Sequence, residues 1–401
     1  MILFGHPTGN PNSHHAALAH YEAGRLAAFC VPWMPSAASL NLLQALPSLR
    51  RMAGRLSRRR FAPLENAPLI QGRAGEWRRL FIRALGRGDE GLAYEANDWL
   101  MDTMATACQR REVTAVHTYE DCSLRQFEAA KRAGKACLYD LPIGYHPAWK
   151  IAQAGLLRDY ADWLPAGGLS SSRWVRPEQK IAEMKLADCV LIACDFVRQT
   201  MAPYVSKKTV LAPYGVDSDF WCPGAERPRS GPLRFIYAGQ IGLRKGIPLL
   251  LQAWQAAALP DAELELAGTW QLAERKRAEL PASVTCRPPC SREELRERYR
   301  AADVFVFPSF FEGFGLVLLE AMACGLPAIA STATAGPDVL DEHSGRVIKA
   351  GDLDQLVESL RWFAAHRDQL PAMSRAARTR AQHHTWERYR KQVTAAVADF
   401  V

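Results

Sequence analysis

The sequence predicts an α/β fold with two doubly wound, parallel-sheet domains that face each other across a cleft. The chain has 401 residues, of which 48% are hydrophobic and 23% are charged, and this length allows two separate cores. Short apolar runs alternate with longer helix-compatible segments twice along the chain, which is typical of parallel strands joined by crossover helices. The segment CPGAERPRSGP, rich in proline, glycine and charge, separates the two alternations at 222–232.

Each half supplies strands and helices in order. The first half contains the runs MILF, TAVHTY, ACLYDL, DCVLIAC and TVLAPY, with helical segments such as LRQFEAAKRAG and PEQKIAEMKLA between them. The second half contains RFIYAG, AELELAG, SVTC, DVFVFPS and PAIAS. We therefore predict an N-terminal domain at 1–215, a C-terminal domain at 216–380 and a C-terminal helix at 381–401 that packs back on the N-terminal domain. Ligands of such folds bind outside the carboxyl ends of the strands, so the cleft is the expected site.

Composition limits the class of protein. The N-terminal run MILFG is too short for a signal peptide, and no apolar stretch is long enough to span a bilayer, so we expect a cytoplasmic protein. The 10 cysteines are scattered through a large chain, which indicates reduced packing residues rather than a disulfide framework. Cys286 and Cys290 lack the spacing and the partners of a zinc knuckle, and we predict no metal site.

The formal charge of +8 is concentrated in LPSLRRMAGRLSRRRF. Over residues 47–60 this segment reads as a basic amphipathic helix, with Leu46, Leu49, Ala53 and Leu56 at helical spacing. Such a helix either docks on an anionic membrane surface or faces the core with a solvated arginine face. The sequence leaves both open, but no aromatic stacking pattern accompanies the charge, so we expect no nucleic-acid binding. The arginines are Arg50, Arg51, Arg55, Arg58, Arg59 and Arg60.

Two carboxylates follow the buried strand DVFVFPS. Glu312 lies in the loop FFEGFG at the carboxyl end of this strand, and Glu320 lies one and a half turns into an apolar helix that begins near Gly315. The helix N-terminus suits a phosphate, and Gly313 and Gly315 allow a ligand to approach the backbone. A carboxylate in an apolar helix needs a partner. For Glu320 that partner is either an internal arginine or a pair of ligand hydroxyls.

A second loop, in RFIYAGQIGLRKGIPLLLQAW, carries two cations. The strand ends at Gly239, Arg244 and Lys245 follow, and a helix begins near Pro248. Cations at a helix N-terminus oppose the macrodipole, whereas a bound diphosphate would reverse the sign of that effect, so the arrangement favours an anionic ligand. A third loop, GHPTGNPNSHHAALA, follows the first strand and contains Gly9, with Asn12 or Ser13 as the expected helix cap.

These motifs together resemble glycosyltransferase family 4, the group 1 retaining enzymes of the GT-B fold. The spacing of Glu312 and Glu320 with seven residues between them, followed by EAMACGLPAIAS, is similar to the family signature. PYGVD at 213–217, the G-x5-KG run that begins at Gly239, ELAGT at 265–269, ADVFVFPS and GDLDQLVESL support the resemblance. The first half is similar through the Gly9 loop, VHTYED and LADCVLIACDF.

The resemblance implies transfer of a sugar from a nucleoside diphosphate sugar to an acceptor hydroxyl, with retention at the anomeric carbon and with neither a metal nor another cofactor. It implies that Glu320 holds the donor ribose and Glu312 the transferred sugar, while Lys245 and Arg244 neutralise the departing diphosphate. Many members have an arginine where this chain has Gln240, and Arg244 is the candidate to replace it. The remaining donor-binding residues implied are Gly313, Phe314, Gly315, Leu316, Gly239, Gln240 and Gly9.

The resemblance also places a residue of the N-terminal domain near the anomeric centre, and either His117 or Tyr119 fits that position. It implies a glycan or lipid-linked acceptor, a role in surface or exported polysaccharide biosynthesis, and a location on the inner face of the membrane through residues 47–60. Three other functions compete. A glycoside hydrolase would leave the phosphate-suited loops without a purpose. A nucleotide-sugar epimerase shares the architecture, and a non-catalytic sugar-nucleotide-binding partner would bind without turnover.

Overall fold

The computed structural model describes residues 1–57, 59–84, 91–166, 168, 176–225 and 231–400. Two parallel sheets form the framework, as the sequence predicts. The first has seven strands in the order β3-β2-β1-β4-β5-β6-β7, and the second has six in the order β10-β9-β8-β11-β12-β13. Helices cover both faces of each sheet because every strand-to-strand connection is a parallel crossover. Among the described residues, no helix is both long and apolar enough to cross a bilayer.

The strands are short and mostly buried. Those of the first sheet are β1 Ile2–Gly5, β2 Leu26–Val31, β3 Leu69–Gln71, β4 Ala115–Tyr119, β5 Ala136–Leu141, β6 Cys189–Ile192 and β7 Lys208–Leu211. Those of the second sheet are β8 Leu233–Ala238, β9 Ala262–Ala267, β10 Val284–Arg287, β11 Val304–Phe307, β12 Ala328–Ser331 and β13 Gly345–Ile348.

Helices connect the strands throughout. In the first half they are α1 Pro11–Glu22, α2 Ala37–Ala45, α3 Arg50–Ser57, α4 Arg73–Ala84, α5 Gly91–Ala107, α6 Leu124–Arg132, α7 His146–Asp159, α8 Pro177–Leu186 and α9 Asp195–Met201. In the second half they are α10 Ile247–Ala257, α11 Glu274–Ala278, α12 Arg292–Ala301, α13 Leu316–Ala323, α14 Gly336–Val339, α15 Leu353–Ala365, α16 Leu370–Gln382 and α17 Trp386–Ala396.

The chain crosses back to the first sheet at its C-terminal end. Helix α17 packs against α1, where the Trp386 ring stacks on His15 with centroids 4.3 Å apart. Arg390 Nε donates to Glu22 at 2.7 Å. The last helix therefore joins the C-terminal part of the chain to the N-terminal domain, beside Tyr214 of the interdomain connection.

The N-cap of helix α1 lies two or three residues before the cap that the sequence predicts. Asn10 is the N-cap, and its side chain accepts the Ser13 N–H at 2.9 Å while the Ser13 hydroxyl accepts the Asn10 N–H. The prediction of Asn12 or Ser13 as the cap is therefore wrong. The reason is Pro11, whose fixed φ suits the first helical position and moves the cap to the residue before it.

The basic segment folds as a short 3-10 turn, Pro47–Leu49, followed by α3. Ala53 and Leu56 are buried in a small satellite core with Trp33, Leu40, Leu43 and Leu80, so this part of the predicted apolar face points inward. Arg59 pairs with Glu76 at 2.6 Å and Arg60 with Glu65 at 2.6 Å. The side chains of Arg51 and Arg55, and residue 58, lie outside the described part of the chain.

Candidate active site

The loops after β8 and β11 meet because these strands are neighbours and run in the same direction. After β8, Gly239 and Gln240 lead into a 3-10 turn, Leu243–Lys245, and Gly246 adopts a left-handed φ of 73° before α10 begins. A side chain at Gly246 would collide with the Pro308 carbonyl oxygen. This close approach brings Arg244 and Lys245 against the loop that follows β11.

Glu312 is held by both cations. Its carboxylate forms an ion pair with Lys245, and Arg244 Nη1 lies 3.3 Å from Glu312 Oε2. Arg244 also donates to the Phe311 carbonyl oxygen at 2.8 Å. Burial acts to raise the pKa of Glu312, but the charges of Lys245 and Arg244 oppose it and prevail, so this pKa lies below its ordinary value. Glu312 is therefore a carboxylate at neutral pH.

The Glu312 loop is in direct contact with the N-terminal domain. Gly144 N donates to the Glu312 carbonyl oxygen at 3.2 Å, and the Cys194 thiol donates to the Gly313 carbonyl oxygen at 3.1 Å. A side chain at Gly313 would meet the Pro142 carbonyl oxygen. Residues from both domains thus fix the position of the Glu312 backbone.

Helix α13 begins immediately after this loop. Its N-cap is Gly315, at a left-handed φ of 79°, where a side chain would meet the Phe307 ring. Gly315 has no side chain to cap the helix, and a helix N-terminus without a side-chain cap is suited to an anion. Phe314 is buried, and its ring lies 5.5 Å from that of Tyr214 in the interdomain connection.

Glu320 lies on α13 and is partly buried. No hydrogen bond to its carboxylate is found among the described residues. Burial raises the pKa of Glu320 to about 7, and the charge of Arg292 opposes this only in part. Arg292 itself lies over the Phe220 ring, 4.5 Å from its centroid. The internal arginine expected as one alternative is thus near, but it does not satisfy the carboxylate.

Gly239 and Gln240 lie at the carboxyl end of β8. Gly239 has φ 140°, and the Gln240 carbonyl oxygen accepts the Tyr237 hydroxyl at 2.6 Å. The Gln240 side chain is exposed. The Tyr237 hydroxyl thus fixes the backbone of this turn. The guanidinium group beside Glu312 comes from Arg244, four residues after Gln240.

On the N-terminal side, the loop after β1 contains Gly9, at φ 72°, and a residue that the sequence analysis did not select, His6. His6 Nδ1 accepts the N–H groups of Thr8 at 3.1 Å and Gly9 at 2.9 Å, so the neutral ring carries its proton on Nε2. Burial lowers the pKa of His6 to about 3. The signal that was available is its place directly after a predicted first strand, at the edge where ligands bind.

His117 does not reach the cleft surface. It is fully buried within β4, its Nδ1 lies 2.9 Å from His20 Nε2 on α1, and its ring packs edge-on against Phe4. The prediction that His117 faces the anomeric centre is thus not supported by its position. Tyr119, two residues on and so on the same face of the strand, lies closer to the edge, with its ring centroid 4.7 Å from that of His6.

The architecture matches solved structures of the GT-B class. Sucrose-phosphate synthase from Thermosynechococcus elongatus superposes with a TM-score of 0.65 at 20% identity, covering 99% of this chain and 98% of that one. Anabaena HepE in complex with UDP-glucose superposes with a TM-score of 0.64 at 13% identity, covering 99% of both chains. At these identities the likeness establishes the fold.

Sequence comparisons find the same class of protein over part of the chain. Residues 224–380 match the sequence model of the glycosyl transferases group 1. A D-inositol 3-phosphate glycosyltransferase of Geodermatophilus obscurus is 34% identical over 253 residues, which are 56% of this chain and 55% of the relative. The O-antigen chain mannosyltransferase B of Escherichia coli is 38% identical over 132 residues, 30% of this chain and 34% of the relative. The chain thus spans about half or less of the curated relatives it matches. The match places residues 224–380 in the glycosyl transferases group 1 family.

Proposed function

We propose that the protein is a retaining glycosyltransferase that moves a sugar from a nucleoside diphosphate sugar to an acceptor hydroxyl. The observation that carries this proposal is the convergence of Arg244 and Lys245 on Glu312, at the N-terminus of α13, with Glu320 left without a hydrogen-bond partner among the described residues. In this proposal Glu320 accepts the two ribose hydroxyls, and Glu312 contacts the transferred sugar. The diphosphate lies between them, at the helix N-terminus.

The leaving group is the diphosphate, and its developing negative charge needs fixed positive charge at the right place. Arg244, Lys245 and the N–H groups of the first turn of α13 supply it. Without a donor, Glu312 pairs with both cations and leaves a net positive charge; with a donor, the diphosphate competes for them. The departing phosphate oxygen can take the proton of the acceptor hydroxyl on the same face of the sugar, which retains the anomeric configuration and requires no protein base.

We also propose that the reaction needs no metal ion. A metal ion in such a reaction would neutralise the diphosphate, and the two cations beside Glu312 serve that purpose here. No three His, Cys, Asp or Glu side chains of the described residues converge closely enough to hold a metal ion.

For the acceptor we propose a glycan or a lipid-linked glycan in surface or exported polysaccharide synthesis. The support is the similarity to a relative named an O-antigen chain mannosyltransferase. We further propose that the protein docks on an anionic membrane through the α2 to α4 region. The apolar side chains that support docking are those left exposed, Leu42 at 68%, Leu46 at 48% and Phe81 at 66%, with Arg50 exposed beside them.

A direct test has two stages. A thermal-shift screen of nucleoside diphosphates and their sugars identifies the donor, because a ligand at 100 times its Kd stabilises the protein by about 2.7 kcal/mol. Proton NMR of the product then reports the anomeric configuration. A product with the donor's configuration, formed only when an acceptor is present, supports the proposal. Inversion, isomerisation of the donor without an acceptor, or binding without turnover contradicts it, and the last two results identify an epimerase or a non-catalytic binder.

A further inference from the structure

Several buried polar atoms of the N-terminal domain have no hydrogen-bond partner among the described residues, and three of them lie in one region. They are Glu120 Oε1, Asp121 Oδ1 and His146 Nε2. Glu120 and Asp121 follow β4 directly, and His146 begins α7 after β5. Because β4 and β5 pair in parallel, these residues emerge at one edge of the sheet. Leaving a buried polar atom without a hydrogen-bond partner is costly, so three in one region indicate a ligand that supplies their partners.

Lys180 joins the two carboxylates and leaves half of each one free. Its Nζ lies 3.1 Å from Glu120 Oε2 and 3.0 Å from Asp121 Oδ2, while the other oxygen of each carboxylate is the unpaired one. The side chains of Glu120 and Lys180 are only 6% and 12% exposed. Burial lowers the pKa of His146, as does the charge of Lys180, which places the imidazole ring within the field of this cluster.

The carboxylate of the neighbouring Glu183, in contrast, has hydrogen-bond partners for both of its oxygens. It is fully buried and accepts hydrogen bonds from Ser123 N at 2.8 Å, Asp121 N at 3.0 Å and the Tyr139 hydroxyl at 3.1 Å. Asp121 has a left-handed φ of 71°, which the bond to Glu183 helps to hold. Glu183 therefore positions the loop, and the free oxygens of Glu120 and Asp121 are what the loop presents.

Helix α7 connects this cluster to the candidate active site. His146 and Trp149 are three residues apart and so share a face of the helix, about 4.5 Å apart along its axis. The Trp149 ring centroid lies 5.2 Å from that of Phe311, the residue before Glu312. Helix α7 also lies against the turn that carries Arg244 and Lys245. The cluster is thus linked to the Glu312 loop through His146, Trp149 and Phe311.

We propose that Glu120, Asp121 and His146 form an acceptor subsite that binds neighbouring hydroxyl groups of an uncharged sugar or cyclitol and disfavours a phosphate group there. The inference rests on the proposed function, because it names the acceptor of the same reaction. Two carboxylates share one ammonium group, so the cluster is acidic. Its free carboxylate oxygens accept hydrogen bonds from hydroxyl groups but repel an anion. The negative charge of this cluster is opposite to the positive charge of the proposed donor site, where Arg244 and Lys245 would bind a diphosphate.

The test compares binding of defined probes to the full chain by saturation-transfer NMR, in the presence of whichever of UDP or GDP stabilises it. The probes are methyl α-D-glucopyranoside, myo-inositol and myo-inositol 1-phosphate. We expect at least one uncharged probe to bind, myo-inositol 1-phosphate to bind more weakly than myo-inositol, and Glu120→Gln and Asp121→Asn each to weaken the uncharged probe roughly tenfold. Glu128→Gln, at an exposed position on α6, is the matched control and should change nothing.

The inference is overturned if no uncharged probe binds, which would leave ordered water as the occupant. It is also overturned if the phosphate ester binds at least as tightly as its parent, or if both variants bind the uncharged probes as the wild type does. Nucleotide affinity is measured in the same samples. A wild type that binds neither nucleotide contradicts the proposed function, whereas intact nucleotide binding without an effect on the probes contradicts the subsite alone. Circular dichroism confirms folding, and either of the two variants suffices if the other does not fold.

Discussion

Glu312 and Glu320 are the same residue type, eight positions apart, and their surroundings move their pKa values in opposite directions. Glu312 has two cations beside it, and its pKa is lowered. Glu320 is partly buried, and its carboxylate has no hydrogen-bond partner among the described residues. Burial therefore raises its pKa to about 7. A carboxylate that is costly to charge in the free protein gains most from ligand hydroxyls that hydrogen-bond to the charged form. The difference supports the two separate roles proposed for them.

This difference predicts a pH dependence of stability. The folded protein keeps the proton on Glu320 up to about pH 7, whereas the unfolded chain releases it near the ordinary value of 4.5. The contribution of Glu320 to the free energy of unfolding therefore falls as the pH rises from 4.5 to 7, by an amount on the order of 3 kcal/mol. Urea unfolding of the wild type and of Glu320→Gln, compared at several pH values, measures it. Parallel curves for the two proteins across this range would refute the prediction.

Some residue positions were predictable from the sequence and others were not. The spacing of Glu312 and Glu320, and the placing of Lys245 after Gly239, follow from local order along the chain, so the family signature located them. The position of His117 depends on which side of β4 its ring takes and on the neighbour, His20, that comes from α1. That information is tertiary. The cluster around Glu120 escaped notice for the same reason, since Lys180 reaches it from a helix about 60 residues away.

At the scale of elements, the strand and helix order was predictable because apolar runs and turn residues are local. Cap positions were less predictable, as Asn10 shows, because Pro11 sets where α1 begins. The basic helix shows a stronger limit. Its periodicity predicted an apolar face, but only the satellite core decides that Ala53 and Leu56 face inward.

The start of α13 gives a prediction at this scale. Gly315→Ala places a side chain at φ 79° against the Phe307 ring, and we expect a loss of about 1–3 kcal/mol in the free energy of unfolding. The shift of the helix N-terminus should also weaken nucleotide binding. The control is Gly155→Ala inside α7, where the added methyl group meets open space and should be neutral or stabilise by up to about 1 kcal/mol. Thermal and urea unfolding check both variants, and equal stability of the two would contradict the expectation.

If the protein docks on a membrane as proposed, removing the exposed apolar side chains of α2 and α4 should weaken that docking. Leu42→Ser and Phe81→Ser should each weaken binding to anionic vesicles by roughly tenfold or more, because each removes a buried contact with lipid. Ile151→Ser, at an equally exposed position on α7, should have no effect. Vesicle co-sedimentation measures this, and salt should release the wild type. Equal binding of the wild type to neutral and anionic vesicles, or binding to neither, would exclude electrostatic docking.

At the scale of the whole molecule, the site is shared between two domains. The Glu312 loop contacts the N-terminal domain at Gly144 and Cys194, and α17 packs on α1. The charges proposed to bind the donor come from one domain, and the proposed hydroxyl-binding carboxylates come from the other. The sequence predicted two domains and a cleft, but the contacts across the cleft join residues more than 100 positions apart, which no local pattern reveals.

The proposed metal independence is also tested at the scale of the whole molecule. If Arg244 and Lys245 neutralise the diphosphate as proposed, turnover should be unchanged after dialysis against EDTA. Lys245→Met should instead reduce turnover by about two orders of magnitude or more, the range seen when one stabilising group of a transition state is removed. Initial rates with and without added magnesium or manganese check this. Activity that disappears on chelation and returns with either metal would show that the two cations are insufficient.

Titration calorimetry of the nucleoside diphosphate, combined with steady-state rates for the wild type, Glu320→Gln and Glu312→Gln, tests the central claim most directly. We expect Glu320→Gln to weaken nucleotide binding roughly ten- to 150-fold, since a hydrogen bond to a charged group contributes about 1.5–3 kcal/mol. We expect Glu312→Gln to bind the nucleotide at least as well as the wild type and to lose turnover with the full donor. If both variants lose nucleotide affinity equally, or if Glu320→Gln binds as the wild type does, then Glu320 does not hold the ribose and the account is wrong.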